Sequence, residues 1–517
     1  MKKFLALAIA LLMVMPLAVA CTPDGDPTVT TQAPGEEGNP DNGETTTTGS
    51  GSLEEEPNES TTEILPELPD EKVNTKVTVL TRGGDWSAWD IVFDTSDSPM
   101  VVDTLNNSLK TRNDAILEKY GIEIQQIVAP GTVKNTAENK LLSNTHEYDI
   151  ILPTIIEAGQ LAQQGLLIPT QELEFVDTTK PWYDQRCLDE LQINGKNYFF
   201  FSDITAVNLD AIWVYFFNHA LIELYGLEDP YELVADYEWT FDKMLEMCAA
   251  ATPKDADGVP TKSDYWGIVG HDYVITSVYI GSGEKVASAN ANGEITLTMN
   301  NNSGRVVNIM SKLISLKPYW CRYALTSNGY KNDYGTPERY GFEPEDNYNE
   351  LVGVFTSGHA LFMGEVLSTL RTDHFVEAEL AIGVLPTPMF DSTQGEEYYC
   401  AVNGVAPAMS IPYTTVDTRT ISIVIEAWAA ESHKTLLPAY YENCMTTRYA
   451  KDTITPDILD MIFDSRTYDL GIYYGWGELS NRFTALTYAG KTDFSSMYRR
   501  HSVAAQSQIE RFTEDFS

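Results

Sequence analysis

Cysteine is scarce in this chain and never closely spaced: Cys21, Cys187, Cys248, Cys321, Cys400 and Cys444 are the six, with no C-x-x-C among them. That pattern denies the chain a zinc cluster or a dithiol centre. Basic residues are few as well. Thirty-four Lys and Arg stand against 75 Asp and Glu, a formal net charge of −41, and a nucleic-acid partner needs a basic stripe that is missing here. The seven histidines form no H-E-x-x-H, and neither G-x-S-x-G nor a Walker loop is present. "IGSGEK", Ile280 to Lys285, holds only a fragment of a dinucleotide fingerprint. No cofactor and no metal site are expected. The one calcium-like stretch is "PKDADGVPTKSD", with Asp255, Asp257 and Asp264 on ligand-like positions. Its first position is Pro253, which offers no side-chain oxygen, so a solvated turn at Asp257-Gly258 is the reading and calcium at most a weak occupant. Beyond the first twenty residues no apolar run is long enough to span a bilayer.

What the chain does have begins at once. "MKKFLALAIALLMVMPLAVAC" carries two lysines, an apolar run from Phe4, and Ala18-Val19-Ala20 before Cys21. Residues 1–20 read as a secretory signal, too short for a membrane helix. The Ala-Val-Ala-Cys ending resembles a bacterial lipobox, which implies acylation of Cys21, palmitate included, and anchoring at the outer face of the cell membrane. Residues 21–73 are rich in Thr, Gly, Pro and acid and poor in large apolar groups. Such a stretch cannot bury enough surface to offset its ordering entropy. It reads as a disordered acidic tether with a reach of roughly 40 Å.

From residue 74 the composition is that of an ordinary globular protein, too long for a single core, so two lobes are expected. The five remaining cysteines are odd in number and read as buried small hydrophobes. Val77, Val79 and Leu80 mark a buried strand, and Leu105, Leu109, Ile116 and Tyr120 a helix that Gly121 ends. "IEIQQIV" and "YDIIL" follow as strands, and Ile155 to Gln164 as a short helix. Strand, helix, strand, helix, strand predicts a mostly parallel sheet covered on both faces. Ligands of such sheets gather beyond the carboxyl ends of the strands, where Pro153-Thr154 forms a tight polar bend. Further on, Asn194-Gly195 predicts a turn, Thr240 a helix cap with Trp239 and Met244 as its staple, and "GHALFMGE" a strand that stops at Gly364.

The order of these landmarks resembles the family 1 extracellular solute-binding proteins, the substrate-binding components of ABC importers. "TRNDAILEKYGIEI", "EYDIILPTIIEAGQLAQQGLLIPTQEL", "INGKNYFFF", "WVYFFNHALIELYG", "EWTFDKMLEMC", "YWGIVG", "FTSGHALFMGE" and "AIGVLPTPM" carry the resemblance, across most of residues 76–430. It implies an α/β, two-lobe periplasmic-binding-protein-like fold of type II with multiple interlobe crossovers. Lobe 1 is expected at 74–203 plus 400–455, and lobe 2 at 204–399 plus 456–517. The family's Gly-Pro-Trp after its buried strand stands here as Gly364-Glu365-Val366.

A neutral sugar calls for flat apolar faces against its C–H surface and for amides or carboxylates against its hydroxyls. Loops that supply both give the expected ligand-binding set: Arg82, Asp85, Trp86, Thr154, Asp203, Asn208, Asp210, Trp213, Trp320, Glu365, Asn403, Tyr474 and Trp476. The reading is a monomeric, non-enzymatic lipoprotein that captures a carbohydrate or oligosaccharide for ABC permease subunits. Two alternatives stand beside it: a surface-tethered sensor or adhesin on the same fold, and a glycan hydrolase, since an acidic chain offers many carboxylate pairs.

Overall fold

Alternating apolar residues in short runs, separated by helical stripes, place the core in two sheets. The computed structural model describes residues 65–70, 72–83, 91–92, 103–252, 261–290, 293–322, 347–446 and 456–515. The signal and almost all of the tether lie outside these residues, as do Asp85, Trp86, Asp255 and Asp257. Twelve strands lie among the described residues. They are β1 (Thr75–Arg82), β2 (Ile122–Ala129), β3 (Ile150–Ile151), β4 (Trp213–Asn218), β5 (Trp266–Val269) and β6 (Ala287–Ala289). The others are β7 (Ile295–Leu297), β8 (Trp320–Cys321), β9 (Ala360–Val366), β10 (Ile382–Leu385), β11 (Cys400–Ala401) and β12 (Arg466–Thr467).

The first sheet is parallel, in the order β2-β1-β3. Its strands are separated by helices Asp103–Tyr120 and Val133–Leu142, as the alternating pattern predicts. Gly121 ends the first helix at φ 71°, a left-handed value that Gly adopts without a Cβ clash. Asn194 and Gly195 both take positive φ, 51° and 74°, and Ile193 pairs with Lys196 across them. That is the tight hairpin turn the Asn-Gly pair predicts.

The second sheet departs from the parallel expectation. Its order is β10-β4-β9-β5-β8, with β4 antiparallel to both β10 and β9 while β5 runs parallel to β9 and β8. Helical crossovers give the parallel pairs, but β4 enters directly from the first sheet, so it arrives reversed. β9 also runs two residues past Gly364, to Val366.

Among the described residues two crossings join the sheets. Phe200 bridges Met409 and Ile151 bridges Ser410 beside the first sheet, and Ile212 bridges Val402 where the second begins. The N–H of Asn403 donates to Ala211 O at 2.8 Å. Apolar packing follows the same division: Val77, Val79, Trp182, Trp428 and their neighbours fill one cluster, and β4, β5 and β9 run through a larger one. By contact, Ile64–Ser517 hold together as one compact unit, so the two sheets are halves of one body.

Trp239 and Met244 are fully buried and Thr240 accepts from the N–H of Lys243, the predicted cap and staple. Cys187, Cys248, Cys321 and Cys400 are buried and unpaired, and burial pushes each thiol above its ordinary range. No helix among the described residues is long and apolar enough to cross a membrane.

Candidate functional site

Because β5, β8 and β9 run parallel and β4 runs against β9, the carboxyl ends of the first three share an edge with the start of β4. Trp213 opens β4 directly opposite Val366 of β9. After β5 the chain turns through Gly270, His271 and Asp272 into the helix Tyr273–Gly281. The rings of Trp213 and Tyr273 lie parallel there, 5.8 Å apart and 6° from coplanar. His271 meets both edge-on, at 5.1 Å and 77° to Trp213 and at 5.3 Å and 81° to Tyr273. Tyr273 is the half-exposed member of the group; Trp213 and His271 are each 3% exposed.

Charge at this edge is paired. His271 Nε2 lies 3.1 Å from Glu365 Oε2, and Glu365 Oε1 accepts from the N–H of Val366 at 2.9 Å. Burial works against a charged imidazole, but Glu365 and Asp272 outweigh it and push His271 up to about 9. The N–H of Tyr273 points at Nδ1 from 3.2 Å, a contact of the singly protonated ring; a second proton there faces Asp272 Oδ1 at 3.7 Å. Nearby, Asp210 and Arg371 form an ion pair at 2.7 Å, the two side chains 1% and 3% exposed. It ties the short helix Val207–Asp210 of the crossing to the 3-10 turn Leu367–Arg371 that follows β9.

Trp213, Tyr273, Asn403, Gly404, Asp469 and Tyr473 line a cavity of about 20 Å³. That holds a water and not a sugar ring. Asp469 is buried and accepts backbone N–H bonds from Val286, Ala287, Gly471 and Ile472. Burial pushes its carboxyl up to about 6 against those donors.

The other predicted residues are dispersed. Arg82 is half-buried at the end of β1. Thr154 caps a helix: its hydroxyl accepts from the Glu157 N–H and the Glu157 side chain returns to the Thr154 N–H, a capping box for Ile155–Gln163. Thr154→Ala is expected to cost about 1 kcal/mol of stability, read from urea denaturation, with ligand affinity unchanged. Asp203 contacts His433 Nδ1 at 2.7 Å, and burial raises its pKa. Asn208 is buried and donates to Ser202 O at 3.1 Å. Asn403 stays half-buried at the cavity, its Oδ1 accepting from the Val405 N–H.

Trp320 is corrected to core packing, 1% exposed with its Nε1 donating to Gly270 O. Trp476 is 2% exposed and stacks on Tyr474 at 5.0 Å and 8°. Both line a separate groove of about 380 Å³ with Gln163, Gln508 and Arg511. Asp264 accepts from Thr261 and closes a turn; no group of three metal-ligating side chains occurs among the described residues. His271, Tyr273 and Arg371 were missed. "GHDY" directly after the strand "WGIV" carried the signal for two of them, by the same strand-end rule that selected Pro153-Thr154.

No protein-family model and no curated protein matches the chain. Solved structures do. An extracellular solute-binding protein from Staphylococcus aureus in complex with maltose is 13% identical, over 85% of this chain and 99% of its own, with a TM-score of 0.53. A cyclo/maltodextrin-binding protein complexed with maltotetraose is 13% identical over 84% and 96%, TM-score 0.52. An ABC substrate-binding protein from Listeria monocytogenes in complex with cycloalternan is 14% identical over 84% and 98%, TM-score 0.50. At these identities the likeness speaks for architecture, and it spans both sheets and nearly the whole of each relative. The fold of this chain is that of these extracellular binding proteins, α/β and two-lobed.

Proposed function

We propose that the protein is the solute-binding component of an ABC importer, taking a carbohydrate or oligosaccharide between its two lobes. The observation that carries this reading is the Trp213–Tyr273 stack at the carboxyl edge of the second sheet, beside the half-buried amide of Asn403. A flat ring pair next to a placed amide suits a sugar, whose C–H face packs on aromatics while its hydroxyls seek polar partners. The maltose, maltotetraose and cycloalternan held by the structural relatives point the same way.

In this reading a sugar enters only when the halves part, and its contacts to both lobes then favour closure. The lobes divide as 74–203 plus 400–455 and 204–399 plus 456–517, with the crossings as the hinge. Acylated Cys21 holds the protein at the outer face of the membrane, and the acidic tether lets it present a closed complex to the permease. A hydrolase would need two carboxylates facing one gap; Glu365 and Asp210 are each committed to a cation, which favours binding over turnover.

Thermal-shift titration with maltose, maltotetraose, mannitol and short peptides tests the reading, because a ligand of the native state raises Tm. A rise with a saccharide and no product in the supernatant is expected. Tyr273→Ala should weaken that saccharide roughly tenfold or more with a near-normal Tm in its absence. Unchanged affinity in Tyr273→Ala would remove the site from this edge.

A further inference from the structure

We infer that His271 is the positioning residue of the aromatic platform: it ties Glu365 on β9 to the rings of Trp213 and Tyr273 and so sets the angle at which that pair meets a sugar. The inference rests on the carbohydrate reading above and deepens it. Three strands converge on this imidazole. Trp213 begins β4, His271 follows β5, and Glu365 is the penultimate residue of β9, next to the one paired with Trp213. Nε2 faces Glu365 at 3.1 Å, Nδ1 faces Asp272 Oδ1 at 3.7 Å, and the ring stands perpendicular to both aromatic planes.

Each contact is held in turn. Glu365 cannot swing away while its other oxygen accepts from the Val366 N–H. Its charge also faces Tyr348, from the helix Asn347–Thr356. Asp272 precedes the helix Tyr273–Gly281 but gives it no side-chain cap. T-shaped contacts to two parallel rings are a favoured geometry that resists rotation of either ring. Glutamine could reproduce the donation to Glu365 through its amide N–H; alanine could not.

The test uses the soluble body of the chain with maltotetraose as the probe, titrated by calorimetry, with near-ultraviolet circular dichroism reporting the ring pair. His271→Ala is expected to bind roughly tenfold more weakly and to lose part of the aromatic signal. His271→Gln should recover to within about threefold of the parent. Parental affinity and an unchanged aromatic spectrum in His271→Ala would overturn the inference. If His271→Ala does not fold, His271→Gln is compared with His271→Asn, whose shorter amide falls short of Glu365: tighter binding by the glutamine variant supports the role, and equal binding overturns it. Failure of the parent chain to bind maltotetraose would count against the carbohydrate reading, and the spectra of His271→Ala and His271→Gln would then decide the positioning role by themselves.

Discussion

Replacing Asp210 with alanine is expected to lower the unfolding free energy by roughly 3–5 kcal/mol, the largest effect of any single substitution considered. Arg371 is 3% exposed and lies 2.7 Å from that carboxylate. Without it the guanidinium must keep its charge in a site built around an anion, and desolvation is no longer offset. The pair also sits where one crossing reaches the second sheet, next to the Leu367 N–H bond to Ile212 O at 2.9 Å. Asp210→Leu with Arg371→Met, which removes both charges and keeps the volume, should recover most of the loss. Urea denaturation with linear extrapolation measures all three proteins. A loss under about 1 kcal/mol in Asp210→Ala would mean that the pair behaves as an exposed one, and that the crossing is held by packing and backbone bonds alone.

The second large effect is on the alkaline side. His271 titrates at about 9 in the folded chain against an ordinary 6.5, with Glu365 and Asp272 overcoming burial, so the folded state holds a proton that the unfolded state has released between those values. The groups facing it are Glu365 from β9 and its neighbours Asp272 and Tyr273, with Tyr348 behind Glu365. A raised imidazole pKa contributes stability that is complete below pH 6.5 and is lost as pH rises through 9. At about 1.4 kcal/mol per unit this is on the order of 3 kcal/mol. Melting curves between pH 6 and 9.5 should show the parent losing Tm faster than His271→Gln over that interval. Parallel slopes would place the alkaline loss elsewhere in the chain.

Local pattern made the elements legible: Leu105, Leu109 and Ile116 marked a helix, Asn194-Gly195 a turn, and Thr240 a cap, each because periodicity or backbone chemistry acts over a few residues. Trp213, Glu365 and Asn403 were selected because their loops supply aromatic and polar groups together, the pairing a sugar calls for. Partners were not legible. Nothing near Asp210 points to Arg371, and His271 meets Glu365 only because β5 lies beside β9, a neighbour relation set by sheet order. The reversed entry of β4 was hidden for the same reason. Thr154 and Glu157 already spelled a capping box in the sequence, and the hydroxyl answers that local demand by accepting from the Glu157 N–H. Trp320 and Trp476 show that a ring beside polar residues is still most often packing.

Trp213 is the first residue of the second sheet after the chain leaves the crossing, and it is also half of the ring stack. Sensor and pivot are therefore one residue apart along the backbone. Under the proposed hinge at the crossings, a gate so built would pass a tilt of that indole to its axle through no intervening linkage.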